Sequence, residues 1–332
     1  MKAVRWGLIG ATNIAKTQVI AAIRADGGEI VNVMSSDAAR GAAYARENHI
    51  PHSTTSLKAL LSSDIDAVYI STTNNLHKRQ HMAAVAAGKH ILCEKPLTLK
   101  LADARAMVDA ADKAGLVMAT NHHLRNAATH GAMRDAIAKG RIGKAIFARV
   151  CHAVYLPAHL QGWRIKDTKT GAGVALDITV HDADTLRFVL GEEAVSVSAM
   201  VQNSGMGHSG IEDGIMGTMR FESGLLAQFH DAYTTRYART SFEVHGTEGS
   251  LYAQDCMTQN PIGSVTLRDK DGEHALELAH ENLYLRGVRA FHKAIHGKGQ
   301  VLASGEDGLR SLAIALSALR SAKSHREVSI QY

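Results

Sequence analysis

The feature that most constrains the fold is an alternation of short apolar runs with helix-like segments along the first part of the chain. The apolar runs are VRWGLIG, GEIVNVMSS, DAVYISTT, KHILCEK and LVMATNHH. Segments such as TQVIAAIRADG and LADARAMVDAADKAG lie between them. Buried strands that alternate with amphipathic helices are typical of a parallel, doubly wound sheet with helices on both faces. We therefore predict an α/β fold that begins with such a sheet.

The pattern changes after residue 121. Strand-like runs such as AVSVSAMV, GIMGTMRF and GLLAQFHDAYT then follow one another, joined by turns that contain glycine. Consecutive strands with short turns predict a mostly antiparallel sheet. We expect a nucleotide-binding domain at residues 1–121 and an α+β domain at 122–332 with a large open sheet. That sheet either stays exposed or pairs with another subunit, so the sequence leaves a monomer and a homo-oligomer open.

Composition excludes several classes of protein. The net charge is +5, but no run of basic residues is present, so we predict no nucleic-acid partner and consider a phosphate-bearing small molecule a sufficient reason for the surplus. The three cysteines are far apart and odd in number, which predicts a reducing, cytoplasmic setting without a disulfide framework. The first apolar run is broken by Arg5, which indicates a strand instead of a signal peptide. No apolar stretch is long enough to span a bilayer, so we expect no membrane partner.

A glycine turn follows the first predicted strand. The dinucleotide-binding pattern is GxGxxG/A at a strand-to-helix turn. Gly10 and Ala15 match its first and third positions, whereas Thr12 replaces the second glycine and can donate its hydroxyl to a phosphate. An ordinary strand–helix turn is the alternative, but the place of the motif directly after the first strand favours a Rossmann domain. The predicted cofactor contacts here are Gly10, Ala11, Thr12, Asn13 and Ile14.

The second predicted strand ends without a carboxylate. NAD-specific domains usually carry an acidic residue there, which binds the ribose diol. This chain has Ser35 and Ser36, then Asp37, which can cap the next helix, and Arg40 one turn later. Helix capping and a solvated helix face are the alternative interpretations of these residues. Small hydroxyls beside an arginine suit a 2′-phosphate, so we predict NADP(H) as the cofactor, with contacts to Ser35, Ser36 and Arg40.

The fifth predicted strand ends in Cys93-Glu94-Lys95-Pro96. Ligands of doubly wound folds bind at the carboxyl ends of the strands, which places Lys95 beside the cofactor. A lysine there can donate a hydrogen bond to a carbonyl and stabilise developing oxyanion charge, although a lone lysine at a strand end is more often a surface charge. The sequence does not decide whether the bond before Pro96 is cis.

A second polar group lies in the segment GVALDITVHDADTLRFVLG, which we predict to be a helix. Asp177 and His181 are four residues apart and Asp184 is three further on, so all three share one helix face. The aspartate can orient or charge the imidazole, and the histidine can then protonate an alkoxide. A helix cap beside a buried, structural histidine is an equally good interpretation of these residues alone.

Three segments decide between these interpretations. STTNNLH at 71–77, AAGKHILCEKPL at 86–97 and ALDITVHDAD at 175–184 resemble the Gfo/Idh/MocA oxidoreductase family, and the resemblance covers nearly the whole chain. It implies that Lys95 and His181 are catalytic, with Asp177 as the partner of His181, and that a small-molecule sugar exchanges hydride with the cofactor. Other polyols or inositol stay open as substrates. The family also includes a non-catalytic co-repressor, so a nucleotide-sensing regulator is the alternative from another class.

The resemblance also implies cofactor contacts outside the glycine turn. Arg125 resembles a cofactor-side contact and His123 is a further, speculative one, whereas Trp163 can equally belong to the core. His77 and His81 have a spacing that suits a metal, but two histidines without a third ligand rarely make a site, so we predict no metal. The additional predicted cofactor contacts are Thr72, Asn74, His77, Glu94, Lys95, Asn121, Arg125, Trp163 and Arg164.

Overall fold

The computed structural model describes residues 2–332, which form two compact units. The first unit runs to His123 and also contains Asn282–Leu309, and the second contains Leu124–Glu281 and Arg310–Tyr332. The first division lies two residues from the predicted boundary at 121. Residues 282–309, which the sequence places in the second domain, are grouped by the structure with the first unit. The domain limits 1–121 and 122–332 therefore stay a prediction.

The first unit contains a six-stranded parallel sheet, as the sequence predicts. Its strands are β1 (Arg5–Ile9), β2 (Glu29–Met34), β3 (His52–Thr54), β4 (Ala67–Ile70), β5 (His90–Cys93) and β6 (Met118–Thr120), in the order β3-β2-β1-β4-β5-β6. The connecting helices are α1 (Ile20–Ala25), α2 (Ala38–Glu47), α3 (Leu57–Leu61), α4 (His77–Ala86) and α5 (Leu101–Lys113). The strand order reverses between β1 and β4, and ligands of such folds bind at this switch point. The Rossmann fold of this unit is confirmed.

The last helix of the first unit comes from the distant end of the chain. Helix α8 (Leu283–Ile295) follows α6 (Ala128–Ala138) and α7 (Val180–Leu190) in chain order and packs against α1. The Trp6 indole N–H donates to Nε2 of His292 at 3.0 Å, and Nδ1 of His292 lies 2.8 Å from a carboxylate oxygen of Asp26. Since Nε2 accepts, the proton of the neutral imidazole is on Nδ1 and donates to Asp26. This buried chain of contacts explains why residues 282–309 belong with the first sheet.

The second unit contains a nine-stranded sheet. Its strands are β7 (Ala145–Ala153), β8 (Ala194–Gln202), β9 (Gly214–Phe221), β10 (Leu226–Ala232), β11 (Ser241–Gly246), β12 (Gly249–Gln254), β13 (Ser264–Asp269), β14 (Gly272–Ala275) and β15 (Val328–Ser329), in the order β14-β13-β12-β11-β7-β10-β9-β8-β15. All pairings are antiparallel except that of β10 with β7. The mostly antiparallel α+β architecture is therefore confirmed, with one parallel pair at its centre.

The two faces of this sheet differ in burial. In β7, Ala148 and Val150 are buried, whereas Phe147, which directly precedes Ala148 and points to the opposite face, is 53% exposed. Met200 on β8 and Met216 on β9 are also largely exposed and line a groove of about 850 Å³ on the open face. Helix α6 packs against α7 and against β12 and β13 of this sheet. Helix α9 (Gly305–Ser324) follows α8 in chain order. Across residues 2–332, no helix is both long and apolar enough to cross a membrane.

Candidate functional site

The loop after β1 has the backbone of a dinucleotide-binding turn. Gly10 has φ +119°, a left-handed region that L side chains rarely adopt, and a Cβ there would lie 3.3 Å from the Ser71 hydroxyl oxygen. The Thr12 and Ser71 hydroxyls hydrogen-bond each other at 2.8 Å, which ties the loop after β1 to the loop after β4. The next turn, Ala15–Val19, is π-helical, a rare form that recurs at functional sites. The cofactor contacts predicted for Gly10–Ile14 stay a prediction, and the backbone of the loop is compatible with them.

The three residues predicted to bind a 2′-phosphate lie together at the end of β2. The Arg40 guanidinium donates to the hydroxyl oxygens of Ser35 at 3.1 Å and Ser36 at 3.0 Å. Asp37 caps α2, as predicted, because its carboxylate accepts from the Arg40 backbone N–H at 2.7 Å. Arg40 and Ser36 are exposed, so the guanidinium and the Ser36 hydroxyl are accessible to a ligand, whereas Ser35 is buried beneath them. The arrangement is a cationic and hydroxyl-bearing patch without a strand-end carboxylate.

Glu94, at the end of β5, belongs to a buried hydrogen-bond network. Its carboxyl oxygen accepts from the Tyr69 hydroxyl at 2.5 Å and from the Asn121 amide at 2.6 Å. Burial raises the pKa of Glu94, an effect that these hydrogen bonds oppose. The second carboxyl oxygen accepts from the backbone N–H of Lys95 at 3.3 Å, and the Lys95–Pro96 peptide bond is cis. The network therefore fixes the backbone that carries Lys95, which is itself half-buried.

His77 holds two loops of the first unit together. Its ring is fully buried, with Nδ1 3.1 Å from the carbonyl oxygen of Pro96 and Nε2 3.0 Å from that of Thr72. Burial lowers the pKa of His77, and a neutral imidazole donates from one nitrogen only. The Thr72 hydroxyl donates to the side chain of Gln80 at 2.6 Å. Both ring nitrogens of His77 thus face backbone, and the cofactor contacts predicted for Thr72, Asn74 and His77 stay predictions.

His81 lies one turn after His77 and is fully buried. Within residues 2–332, neither of its ring nitrogens has a hydrogen-bond partner. Burial, and to a lesser extent the neighbouring His77, lowers the pKa of His81 to about 4. Among the described residues, no group of three or more His, Cys, Asp or Glu side chains is arranged to hold a metal ion.

We expect His81→Leu to make the protein more resistant to acid. The folded-state pKa of His81 is below its unfolded value, so its contribution to stability is present above about pH 6.5 and is lost as the pH falls towards about 4. The free energy of unfolding should therefore drop by about 2 kcal/mol less between pH 7.5 and pH 5 in the variant than in the wild type. Urea unfolding at both pH values measures the difference. His52→Leu, at an exposed histidine, is the control, and an equal drop in His81→Leu and the wild type contradicts the assignment.

In the second unit, Asp177 lies in a π-helical turn. The sequence predicts a regular helix here, but the turn Ala175–Thr179 is π-helical and leads into α7. One carboxylate oxygen of Asp177 accepts from the Arg164 guanidinium at 3.1 Å and from the Tyr233 hydroxyl at 3.0 Å. The Arg164 guanidinium also lies over the Trp163 ring, 4.8 Å from its centroid. Because a π-helical turn is wider than an α-helical one, the regular four-residue spacing of Asp177 and His181 is altered, and the orienting role of Asp177 stays a prediction.

His181, at the start of α7, is 6% exposed. Its ring centroid lies 6.4 Å from that of His152 on β7, and Nδ1 of His152 is 2.9 Å from a carboxylate oxygen of Asp182. Asp184, three residues after His181, forms a two-pronged, buried ion pair with Arg125 at 3.0 and 2.5 Å. Arg125 is therefore engaged within the second unit, and its predicted contact with the cofactor stays a prediction.

Three residues of this region have no place in the sequence-based site: Tyr233, His152 and Asp231. His152 and Asp231 could have been found, because successive side chains of a strand point to opposite faces. In β10, Ala227, Phe229 and Asp231 are all buried, so the pattern places an aspartate on the apolar face of the sheet. A polar residue at an inward position is a signal for a buried network. Tyr233 follows the same strand and has no such signal.

Known families match both units. A family model described as "Oxidoreductase family, NAD-binding Rossmann fold" matches residues 4–122, and a model described as "GFO/IDH/MocA C-terminal domain" matches residues 130–252. The order of the two models along the chain is the order of the two predicted domains.

Full-length proteins of known activity are also similar. The 1,5-anhydro-D-fructose reductase of Ensifer adhaerens is 59% identical over 328 residues, which cover 98% of each chain. The myo-inositol 2-dehydrogenase of Thermotoga maritima is 28% identical and matches 81% of this chain and 80% of its own length. The crystal structure of an aldose-aldose oxidoreductase from Caulobacter crescentus has the same fold, with a TM-score of 0.90 at 22% identity over 99% of this chain and 100% of that one.

Proposed function

The chain belongs to the GFO/IDH/MocA family of oxidoreductases, and we propose that it reduces the C2 ketone of 1,5-anhydro-D-fructose to 1,5-anhydro-D-mannitol with NADPH. The observation that carries the proposal is the 59% identity to the Ensifer adhaerens reductase over 98% of both chains. The segments GLIGATNIA, TNHHLRNAA and HAVYLPAHLQGWR resemble that same enzyme. An activity shared at this identity and coverage is the simplest account of the chain.

NADP(H) suits the described residues of the first unit. The Gly10 turn is tight, because its φ of +119° is one that L side chains rarely adopt and a Cβ there would meet the Ser71 hydroxyl, and a tight turn after the first strand is what a pyrophosphate site of this fold requires. The Arg40 guanidinium and the hydroxyls of Ser35 and Ser36 offer one positive charge and two kinds of hydrogen-bond donor to a 2′-phosphate. A strand-end carboxylate, which would repel that phosphate, does not occur at these positions.

The proposed chemistry divides among three side chains. Bound NADPH supplies the hydride. The Lys95 ammonium donates a hydrogen bond to the ketone oxygen and stabilises the negative charge that develops there. His181 gives its proton to that oxygen as the alcohol forms. Asp177, held by Arg164 and Tyr233, is the positioning partner of His181.

The proposal places the enzyme in the cytoplasm. Cys93, Cys151 and Cys256 are all free thiols, and Cys93 and Cys256 are buried. Free thiols that are spread through the fold suit a reducing compartment.

The experiment that tests the function follows NADPH oxidation by absorbance with 1,5-anhydro-D-fructose, with NADH in parallel. We expect rapid oxidation of NADPH, slow oxidation of NADH, and 1,5-anhydro-D-mannitol as the product, distinguished from its C2 epimer 1,5-anhydro-D-glucitol by NMR spectroscopy. No oxidation with either cofactor overturns the substrate, and a panel of inositols and other sugars then tests the second candidate, which the similarity to myo-inositol 2-dehydrogenase favours. Tight NADPH binding without turnover of any carbonyl compound supports the regulator instead.

A further inference from the structure

Two buried aspartates lie behind His181 without a role in the proposed chemistry. Asp182 and Asp231 are each 0% exposed, and their carboxyl groups lie within interaction distance of each other. Asp182 comes from α7, and Asp231 comes from β10, which is the strand paired in parallel with β7. The register of this pair sets Asp231 directly beside His152, on the covered face of the sheet. The fold therefore builds a cluster from one helix and the two central strands.

The outer oxygens of the two carboxyl groups have defined partners. One oxygen of Asp182 is 2.9 Å from Nδ1 of His152, and one oxygen of Asp231 accepts from the Thr179 hydroxyl at 2.5 Å. The inner oxygens, Oδ2 of Asp182 and Oδ1 of Asp231, have no donor among residues 2–332. Two ionised carboxylates only accept, so the contact between them lacks a proton unless one carboxyl group is protonated.

Burial supports one shared proton. Two like charges in a site without water cannot both be ionised at a tolerable cost, and the usual outcome is that one carboxyl group keeps its proton. Burial raises the pKa of Asp182, and burial together with the charge of Asp182 raises the pKa of Asp231 further. Asp231 is therefore the protonated member, and its O–H donates to the inner oxygen of Asp182. One negative charge remains, and it faces the N–H of His152.

Few other ionisable groups surround the pair. The groups that face it or its histidine partner are His152 on β7, His181 on α7, His130 on α6, and Cys256 after β12. Burial is the first cause that lowers the pKa of His130 to about 4 and that raises the pKa of Cys256, so both are neutral at pH 7. Asp184 is already paired with Arg125. The charge of the aspartate pair thus acts mainly on His152 and, beyond it, on His181.

We propose that Asp182 and Asp231 share one proton and that their single negative charge positions the proton donor His181 through His152. The charge holds the proton of His152 on Nδ1, which sets the tautomer of the ring beside His181. It also favours the protonated form of the two neighbouring imidazoles, and a protonated His181 is what ketone reduction needs. Asp182, Asp231 and His152 are positioning residues, and their effect on turnover rests on the proposed function of His181.

The shared proton is tested without substrate by infrared spectroscopy of the wild-type protein at pH 7. We expect the carbonyl-stretching band of a protonated carboxylic acid, which is separate from the carboxylate bands, in the difference spectrum of the wild type minus Asp231→Asn. Other buried carboxyl groups, such as Glu94, cancel in this difference, so a difference spectrum without the band overturns the shared proton. Thermal unfolding verifies that the variant is folded, and Asp231→Ser replaces it in the same measurement if it is not.

The effect on the histidines is tested by NMR titration of the imidazole C–H signal of His181, which His181→Asn assigns. Because an amide replaces a neutral carboxylic acid, Asp231→Asn keeps the single charge and should leave the pKa of His181 near its wild-type value. The double variant Asp182→Asn/Asp231→Asn removes the charge and should lower that pKa by about one unit, with an equal shift in the alkaline limb of kcat against pH. His230→Asn, one residue from Asp231 on the other face of β10, is the matched control.

An unchanged titration in the double variant, or an equal shift in Asp231→Asn, overturns the positioning role. Failure of the proposed function is a separate result. If the wild-type protein does not oxidise NADPH with 1,5-anhydro-D-fructose, the substrate assignment is wrong. The infrared band still tests whether the two aspartates share a proton, and the NMR titration still tests its effect on the pKa of His181.

Discussion

Replacing His181 by asparagine is expected to lower kcat for ketone reduction by about 10²- to 10⁴-fold while the Kd for NADPH stays unchanged. Asparagine is close to histidine in size and keeps a polar side chain, so the start of α7 should remain folded. It cannot deliver a proton to the alkoxide, and this is the only contribution that the proposal assigns to the ring. Steady-state kinetics with 1,5-anhydro-D-fructose gives kcat, and fluorescence titration with NADPH gives the Kd.

The control for this prediction is His208→Asn, at an exposed histidine in the loop between β8 and β9, which should leave both quantities unchanged. A parallel loss of turnover and of NADPH affinity in His181→Asn contradicts the proton-donor role, because it indicates a disturbed binding site instead. A pH profile adds a second readout. The wild type should lose activity at alkaline pH as His181 loses its proton, and the variant should lack this limb.

The first sheet was predictable because its strands are buried on both faces. The fully buried residues include Trp6, Leu8 and Ile9 in β1 and residues 68–70 in β4. Strands that are buried on both faces consist of continuous apolar runs, which are easily recognised in a sequence. The phosphate turn and the patch of Ser35, Ser36 and Arg40 were predictable for a related reason. Their members are within a few residues of each other in sequence, so local geometry alone brings them together.

The second unit was predictable only in outline. Alternating residues predict its strands, but no local pattern indicates that β10 lies parallel to β7 or that α8 joins the first sheet. Those contacts join residues far apart in sequence, such as Trp6 with His292 and Asp231 with His152. The order of strands is a property of long-range packing, and a single sequence carries little information about it.

The same reasoning explains which parts of the site were beyond reach. Arg125 was identified as a residue of interest, but its partner Asp184 lies 59 residues away, and His77 bonds to a carbonyl 19 residues away. The sequence also does not predict the π-helical turn at Asp177, because the same residues are equally compatible with a regular α-helix. Sequence reasoning therefore identified the residues that carry chemistry more readily than the partners that hold them.

Replacing Arg40 by alanine is expected to raise the KM for NADPH about 10- to 100-fold and to leave the KM for NADH nearly unchanged. The Arg40 guanidinium lies on the hydroxyls of Ser35 and Ser36, and the proposal gives it the 2′-phosphate that NADH lacks. Loss of charged hydrogen bonds costs about 1.5–3 kcal/mol, which corresponds to this range of affinity. Steady-state kinetics with each cofactor at a saturating concentration of sugar measures both constants.

Arg46→Ala is the matched control, because Arg46 is an exposed arginine on the same helix α2 but lies in its last turn, away from the two serines. Arg46→Ala should leave the KM for NADH unchanged and should raise the KM for NADPH only slightly, because it lowers the net positive charge of the protein. Ser35→Asp extends the argument, since a carboxylate at the end of β2 should repel the 2′-phosphate and accept the ribose hydroxyls of NADH. An Arg40→Ala variant with an equal rise in both constants would show that Arg40 supports the fold of α2 and does not select the cofactor.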